Sequence, residues 1–151
     1  MVKELIKLLY NTTYKDNKII QQINDLVGKP FNLWEAFKLK GVGSKRMIID
    51  EVSPNLQAIV NRISDVNYGS LELRPKGVLI HIGKGLQRFT WVIPYYKLVI
   101  YKINGASIHA DGKFVHFRPN KTYKENKVFF KKLLDQKINF DAQFSTIPYN
   151  E

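Results

Sequence analysis

Leu71-Glu72-Leu73-Arg74-Pro75-Lys76-Gly77-Val78-Leu79-Ile80-His81-Ile82 decides the fold, because two runs of alternating character flank a proline and glycine break. Leu71 and Leu73 alternate with Glu72 and Arg74, and Val78, Ile80 and Ile82 alternate with Leu79 and His81, a period of two that places alternate side chains on opposite faces of a strand. Pro75-Lys76-Gly77 supplies the turn, so the stretch predicts a hairpin. Downstream, Gly83-Lys84-Gly85 turns the chain into a run where Phe89, Trp91 and Ile93 share one face and Arg88, Thr90 and Val92 the other. Pro94 cannot donate to a central ladder, so a bend or bulge is expected there before a strand over Lys97 to Ile103. Asp111-Gly112 suits the positive backbone angles of a type I′ turn between Ala106–Ala110 and Lys113–Arg118. Pairing Ala110 with Lys113 then puts Ile108, Val115 and Phe117 on the core side and His109, Phe114, His116 and Arg118 outside.

Upstream, the reading is helical. Val2 to Tyr10 sets Leu5, Ile6, Leu8 and Leu9 against Lys3, Glu4 and Lys7; Lys18 to Val27 spaces Ile19, Ile20, Ile23, Leu26 and Val27 at helical intervals before Gly28. Asn32 with Glu35 three residues later forms a capping box for a short helix to Lys38. All three amphipathic stripes are expected to pack on their own domain. Met47 to Ile49 suggests a short strand, and Leu56 to Ile63 is read as another. Thr122-x-x-Glu125 is a second capping box, opening a helix to about Lys137 with Phe129, Phe130, Leu133 and Leu134 on one side and Lys124, Lys127 and Lys131 opposite. The expected organisation is a helical extension over residues 1–55, an antiparallel β-roll of about seven strands with its closing helix over 56–138, and a surface-packed tail over 139–151.

Gly69-Ser70-Leu71-Glu72-Leu73-Arg74-Pro75-Lys76-Gly77-Val78-Leu79-Ile80 resembles the G-x-L-x-L-T-x-x-x-L-x-F hairpin of GRAM and bacterial pleckstrin-homology-like (PH-like) domains. Trp91-Val92-Ile93-Pro94-Tyr95-Tyr96-Lys97-Leu98-Val99-Ile100 is similar to their I-P-Y-x-x-I strand, and residues 121–138 to their closing helix. The resemblance covers about 80 residues, leaves the first third uncovered, and departs at Arg74, where the pattern has Thr. It implies an α+β fold, a bent seven-stranded roll plugged by the helix, that binds a protein, peptide or phosphoinositide and is not an enzyme. Phosphoinositide recognition needs basic side chains on the first two loops. Ser64-Asp65-Val66-Asn67-Tyr68 has none, leaving Lys84 and Arg88 beside the later turn.

Composition narrows the function. A chain of 151 residues that is 44% hydrophobic buries a proper core. With no cysteine it forms no disulfide, thiolate metal site or cysteine nucleophile, and together with the absence of a long apolar run this predicts a cytoplasmic protein. Twenty-four basic against thirteen acidic residues give +11, a field attractive to nucleic acid or anionic lipid, yet nineteen are Lys, and phosphate recognition favours Arg. Solvated lysine is the commoner outcome. Catalytic sets are thin: Asp50-Glu51 are strand neighbours pointing oppositely, His109 and His116 lack a third metal ligand unless His81 approaches, and Gly83-Lys84-Gly85 lacks the spacing and following helix of a phosphate loop. Glu72-Leu73-Arg74 after Asp65 has a nuclease-like order, but Arg stands where Lys is needed. The sequence therefore predicts a binding module without cofactor or metal that engages a protein or peptide. The alternative is polyanion binding through lysine-rich faces. The candidate ligand-binding residues are Lys84, Arg88, Lys124, Lys127 and Lys131, with Lys38, Lys40, Lys45 and Arg46 added for nucleic acid.

Overall fold

The computed structural model describes residues 4–58 and 67–144. The expected Leu56–Ile63 strand lies outside them from residue 59 onward, and the expected 139–151 tail from residue 145 onward. Nine strands are described: β1 (Glu4–Ile6), β2 (Leu9–Asn11), β3 (Met47–Val52), β4 (Asn67–Arg74), β5 (Gly77–Lys84), β6 (Gln87–Pro94), β7 (Val99–Tyr101), β8 (Ala106–Ala110) and β9 (Lys113–Phe117). They form one antiparallel sheet in the order β1-β2-β6-β5-β4-β3-β9-β8-β7. The helices are α1 (Asn17–Val27), α2 (Leu33–Lys38), α3 (Lys121–Lys124) and α4 (Lys127–Phe144). No helix among the described residues is long and apolar enough to cross a membrane.

The predicted hairpins form in register. Leu71 faces Ile80 and Leu73 faces Val78; Ile80 faces Trp91 in β6, so Leu71, Ile80 and Trp91 make one buried row. Ala110 pairs with Lys113 across Asp111 and Gly112, both at positive φ, and Ile108, Val115 and Phe117 are buried. The sheet folds over its own core. β6 and β9 are four places apart in strand order, roughly 19 Å if the sheet were flat. Yet the buried Lys113 of β9 holds its ammonium 5.9 Å from the Trp91 ring centroid.

Three expectations are corrected. Residues 4–11 are not a helix but the hairpin β1–β2, with Leu9 opposite Trp91 and Tyr10 opposite Thr90. Leu8 in the turn is buried, and Leu9 and Tyr10 of β2 are both buried because this strand is covered on both faces, and a strand covered on both faces shows no alternation. Leu56 ends a 3-10 turn, Pro54–Leu56, rather than opening a strand; β3, lying between β4 and β9, is the strand that precedes it, so the sheet draws on both sides of residue 55. The expected closing helix is two elements: Asn120 caps the short α3, its Oδ1 accepting from the Tyr123 backbone N–H at 3.1 Å in place of a Thr122–Glu125 box, Glu125 ends that turn, and α4 starts at Lys127. Glu125 instead meets Lys45 at 3.2 Å, and the buried Asn126 accepts from the Lys45 N–H and donates to the Lys45 carbonyl. α4 then runs on to Phe144, through half of the expected tail. Phe129, Phe130 and Leu133 are buried, the Phe140 ring lies 5.8 Å from that of Tyr95, and Lys137 donates to the Tyr95 carbonyl.

α1 lies on the outer face of β5 and β6 and buries Ile19, Ile23 and Val27. Asp16 caps it, accepting from Lys18 and Ile19 N–H, and Gly28 at φ +88° ends it. Gly77 admits this packing, for a Cβ there would collide with the Ile93 carbonyl and Val27 Cγ1.

Candidate binding surfaces

A row of polar side chains crosses the outer face of the sheet beside α1. Thr12 Oγ1 lies 2.7 Å from Thr90 Oγ1, Thr90 lies 3.0 Å from His81 Nδ1, and His81 Nε2 lies 3.1 Å from Glu72 Oε1. Arg74 Nε donates to Glu72 Oε2 at 2.6 Å, and its Nη1 donates to Asn24 Oδ1 and the Gly28 carbonyl, each at 2.9 Å. Burial pushes the Glu72 carboxyl up, but the hydrogen bonds and charges of His81 and Arg74 outweigh it and hold the group at about 2. The departure at Arg74 thus has a structural job: its guanidinium ties the carbonyl end of α1 to β4. Both His81 nitrogens are engaged, so the ring offers neither a free base nor a metal ligand, and the nuclease-like order of Glu72 and Arg74 serves an internal clamp.

Beside His81 opens a cleft of about 460 Å³ lined by Arg46, Tyr68, Ser70, Gly83 and Arg88 among others. The Arg46 guanidinium stands 4.5 Å from the Tyr68 ring centroid. That pair was not legible in the sequence, because it depends on β3 meeting β4 with Ile48 opposite Tyr68. Of the predicted site residues, Arg88 lines this cleft, and Lys84 leans away to donate to the Ala58 carbonyl at 3.0 Å. Lys124 belongs to α3 and Lys127 and Lys131 to α4, all exposed, so the five form two groups rather than one site.

A second surface lies on the outer face of β7–β9. Val99, His109 and Phe114 form one cross-strand row, and Tyr101, Ser107 and His116 the next. Tyr101 meets His109 edge-on at 5.0 Å between centroids, and His109 stacks on Phe114 at 5.2 Å. Burial pushes the His109 imidazole below its ordinary value, which favours the neutral ring. His116 turns instead toward Asp50, 3.9 Å away, so the histidines do not converge, and no group of three metal-ligating side chains occurs among the described residues. Among the described residues β7 is the sheet's edge; Val99 and Tyr101 are exposed on it and Ile103 just beyond it. A shallow groove of about 340 Å³ runs between Val99, His109, Phe114 and the Asp111-Gly112 turn, where Lys97 pairs with Asp111 at 3.1 Å.

No protein-family model, curated protein or solved structure matches the chain.

Proposed function

We propose that the chain is a non-catalytic binding module of PH-like fold that takes an extended segment of a partner protein along β7. Seven consecutive strands, β3 to β9, followed by a helix against one end of a bent sheet support the PH-like reading. The observation that carries the function is the edge: among the described residues β7 pairs on one side only, and its exposed Val99 and Tyr101 border an aromatic groove. An added strand would satisfy the free edge while its alternate side chains meet that groove. The engaged nitrogens of His81 support binding over chemistry.

Peptides selected from a displayed random library, then titrated against variants, test this. Tyr101→Asp is expected to weaken the selected peptides about thirtyfold, while Arg88→Ala leaves them unchanged. A library without binders, or binders indifferent to Tyr101→Asp, overturns it.

A second reading, polyanion binding, is favoured by one observation: among the described residues neither Arg46 nor Arg88 meets a carboxylate, and both line the cleft. Titration with single-stranded DNA and RNA at two salt concentrations decides it. Affinity that falls steeply with salt and with Arg46→Ala supports it, and no binding at low salt removes it.

A further inference from the structure

We propose that α2 is a membrane-contacting finger: Leu33, Trp34 and Phe37 enter the interfacial layer of an anionic bilayer while Lys38 and Lys40, with Lys29 ahead of the helix, meet its headgroups. This goes beyond the peptide reading and uses a different surface, so each can fail alone.

None of the six residues of α2 is buried. Leu33 is 91%, Trp34 64% and Phe37 76% exposed, the largest apolar group that the described surface leaves on one short element. An amphipathic helix normally turns such a stripe inward, so this one is presented outward. The presentation is rigid. Asn32 and Glu35 complete both halves of the capping box, with Glu35 N–H to Asn32 Oδ1 at 2.8 Å and Asn32 N–H to Glu35 Oε1 at 3.1 Å. At the other end Gly41 N–H reaches the Ala36 carbonyl, and Lys132 of α4 donates to the carbonyls of Lys40 and Gly41 at 3.1 and 3.0 Å. The finger is therefore ordered before it meets anything, and binding need not supply that order.

Charge and area identify the occupant. Lys38 holds its ammonium 5.2 Å from the Trp34 ring centroid, Lys40 follows, and Lys29 is exposed on the approach; Glu35 is the one acid of the helix and is spent on its cap. Lys132 extends the positive field to α4, where Lys124, Lys127 and Lys131 are exposed in the helical segment ahead of it. A second copy would bring the same lysines and another +11 to the contact, which like-charge repulsion opposes. Three side chains cover roughly 500 Å², less than the about 800 Å² that a stable protein interface takes from each partner. An anionic bilayer needs no matching shape. It accepts Trp and Phe at headgroup depth and draws in adjacent lysines.

The chain's two tryptophans make the test direct, because Trp34 is exposed and Trp91 fully buried, so a change in emission on adding vesicles reports Trp34. With vesicles of phosphatidylcholine and phosphatidylserine, co-sedimentation, a blue shift and protection from acrylamide are expected, all weak with phosphatidylcholine alone. Leu33→Asp with Phe37→Asp should abolish the shift, and Lys38→Glu with Lys40→Glu should lower partitioning by more than about tenfold. Unchanged circular dichroism checks that these variants fold. Binding without a shift, binding indifferent to Leu33→Asp with Phe37→Asp, or no binding to the anionic vesicles overturns the proposal. Self-association in sedimentation, lost in the same double variant, overturns it in favour of a second copy.

Discussion

α1 and α2 stand five residues apart in the chain, both carry an apolar stripe and both have a side-chain N-cap, yet one is buried and the other bare. The difference lies in what each meets. α1 runs over the outer face of β5 and β6, where Gly77 leaves room for Val27 and Arg74 fastens the helix end. α2 follows the Gly28–Pro30 bend, and none of its own residues is buried against the sheet or α4. A hydrophobic stripe states that a helix has a side to cover; the neighbouring elements determine whether anything covers it.

The largest expected effect falls on the buried member. Ile23→Asp sets a charge against the sheet and should cost more than about 4 kcal/mol, read as loss of a cooperative urea transition. Phe37→Asp, the same chemistry on α2, should move the midpoint by less than about 0.5 kcal/mol. Equal losses would mean that α2 packs on the domain and erase the contrast.

Arg74→Met comes next. It leaves Glu72 with one partner fewer and frees the Asn24 side chain and Gly28 carbonyl, at an expected cost of about 3 kcal/mol in urea denaturation. Loss of this clamp should also speed amide exchange in the last turn of α1 and leave α2 unaffected.

The same clamp gives a pH signature. Glu72 is held at about 2 against an ordinary 4.5, so its folded value is depressed. Its stabilisation is complete above the unfolded value and is lost as pH falls through about 4.5 toward about 2. The expected loss is on the order of 2 kcal/mol, seen as a fall in urea midpoint over that window. Glu72→Gln should flatten this part of the profile; a variant with the parent slope would assign the acid sensitivity elsewhere.

What the sequence disclosed followed the range of the forces involved. The Asp111-Gly112 turn sets its register through its own backbone angles, and the Ala110–Lys113 pairing was legible from two residues. Leu71, Leu73, Val78 and Ile80 alternate because one face of their strands is core and the other carries the polar row. β2 was hidden because Leu9 and Tyr10, on its two faces, are both buried, so with Leu8 they read as a helix stripe. Thr122 and Glu125 matched a cap pattern, but Asn120 stood two residues earlier and Lys45, far away in sequence, claimed Glu125. Candidate sites fared similarly: Arg88 and the lysines of α3 and α4 were visible as residue types, whereas Arg46 over Tyr68 and the Tyr101–His109–Phe114 stack exist only through strand pairing.

The smallest effect sharpens the comparison most. Asn32→Ala removes the side-chain half of the α2 capping box and frees Glu35 from its anchored position, a loss of about 1 kcal/mol for the helix itself. Because α2 buries none of its residues, that loss should appear as faster amide exchange confined to residues 33–41, with the global unfolding midpoint unmoved. Asp16→Ala removes the corresponding cap of α1 at similar intrinsic cost. There Ile19, Ile23 and Val27 couple the helix to the sheet, so the same loss should pass into the midpoint. If both cap variants shift the midpoint alike, α2 is part of the cooperative unit, and its exposed face is secured by the domain it stands on.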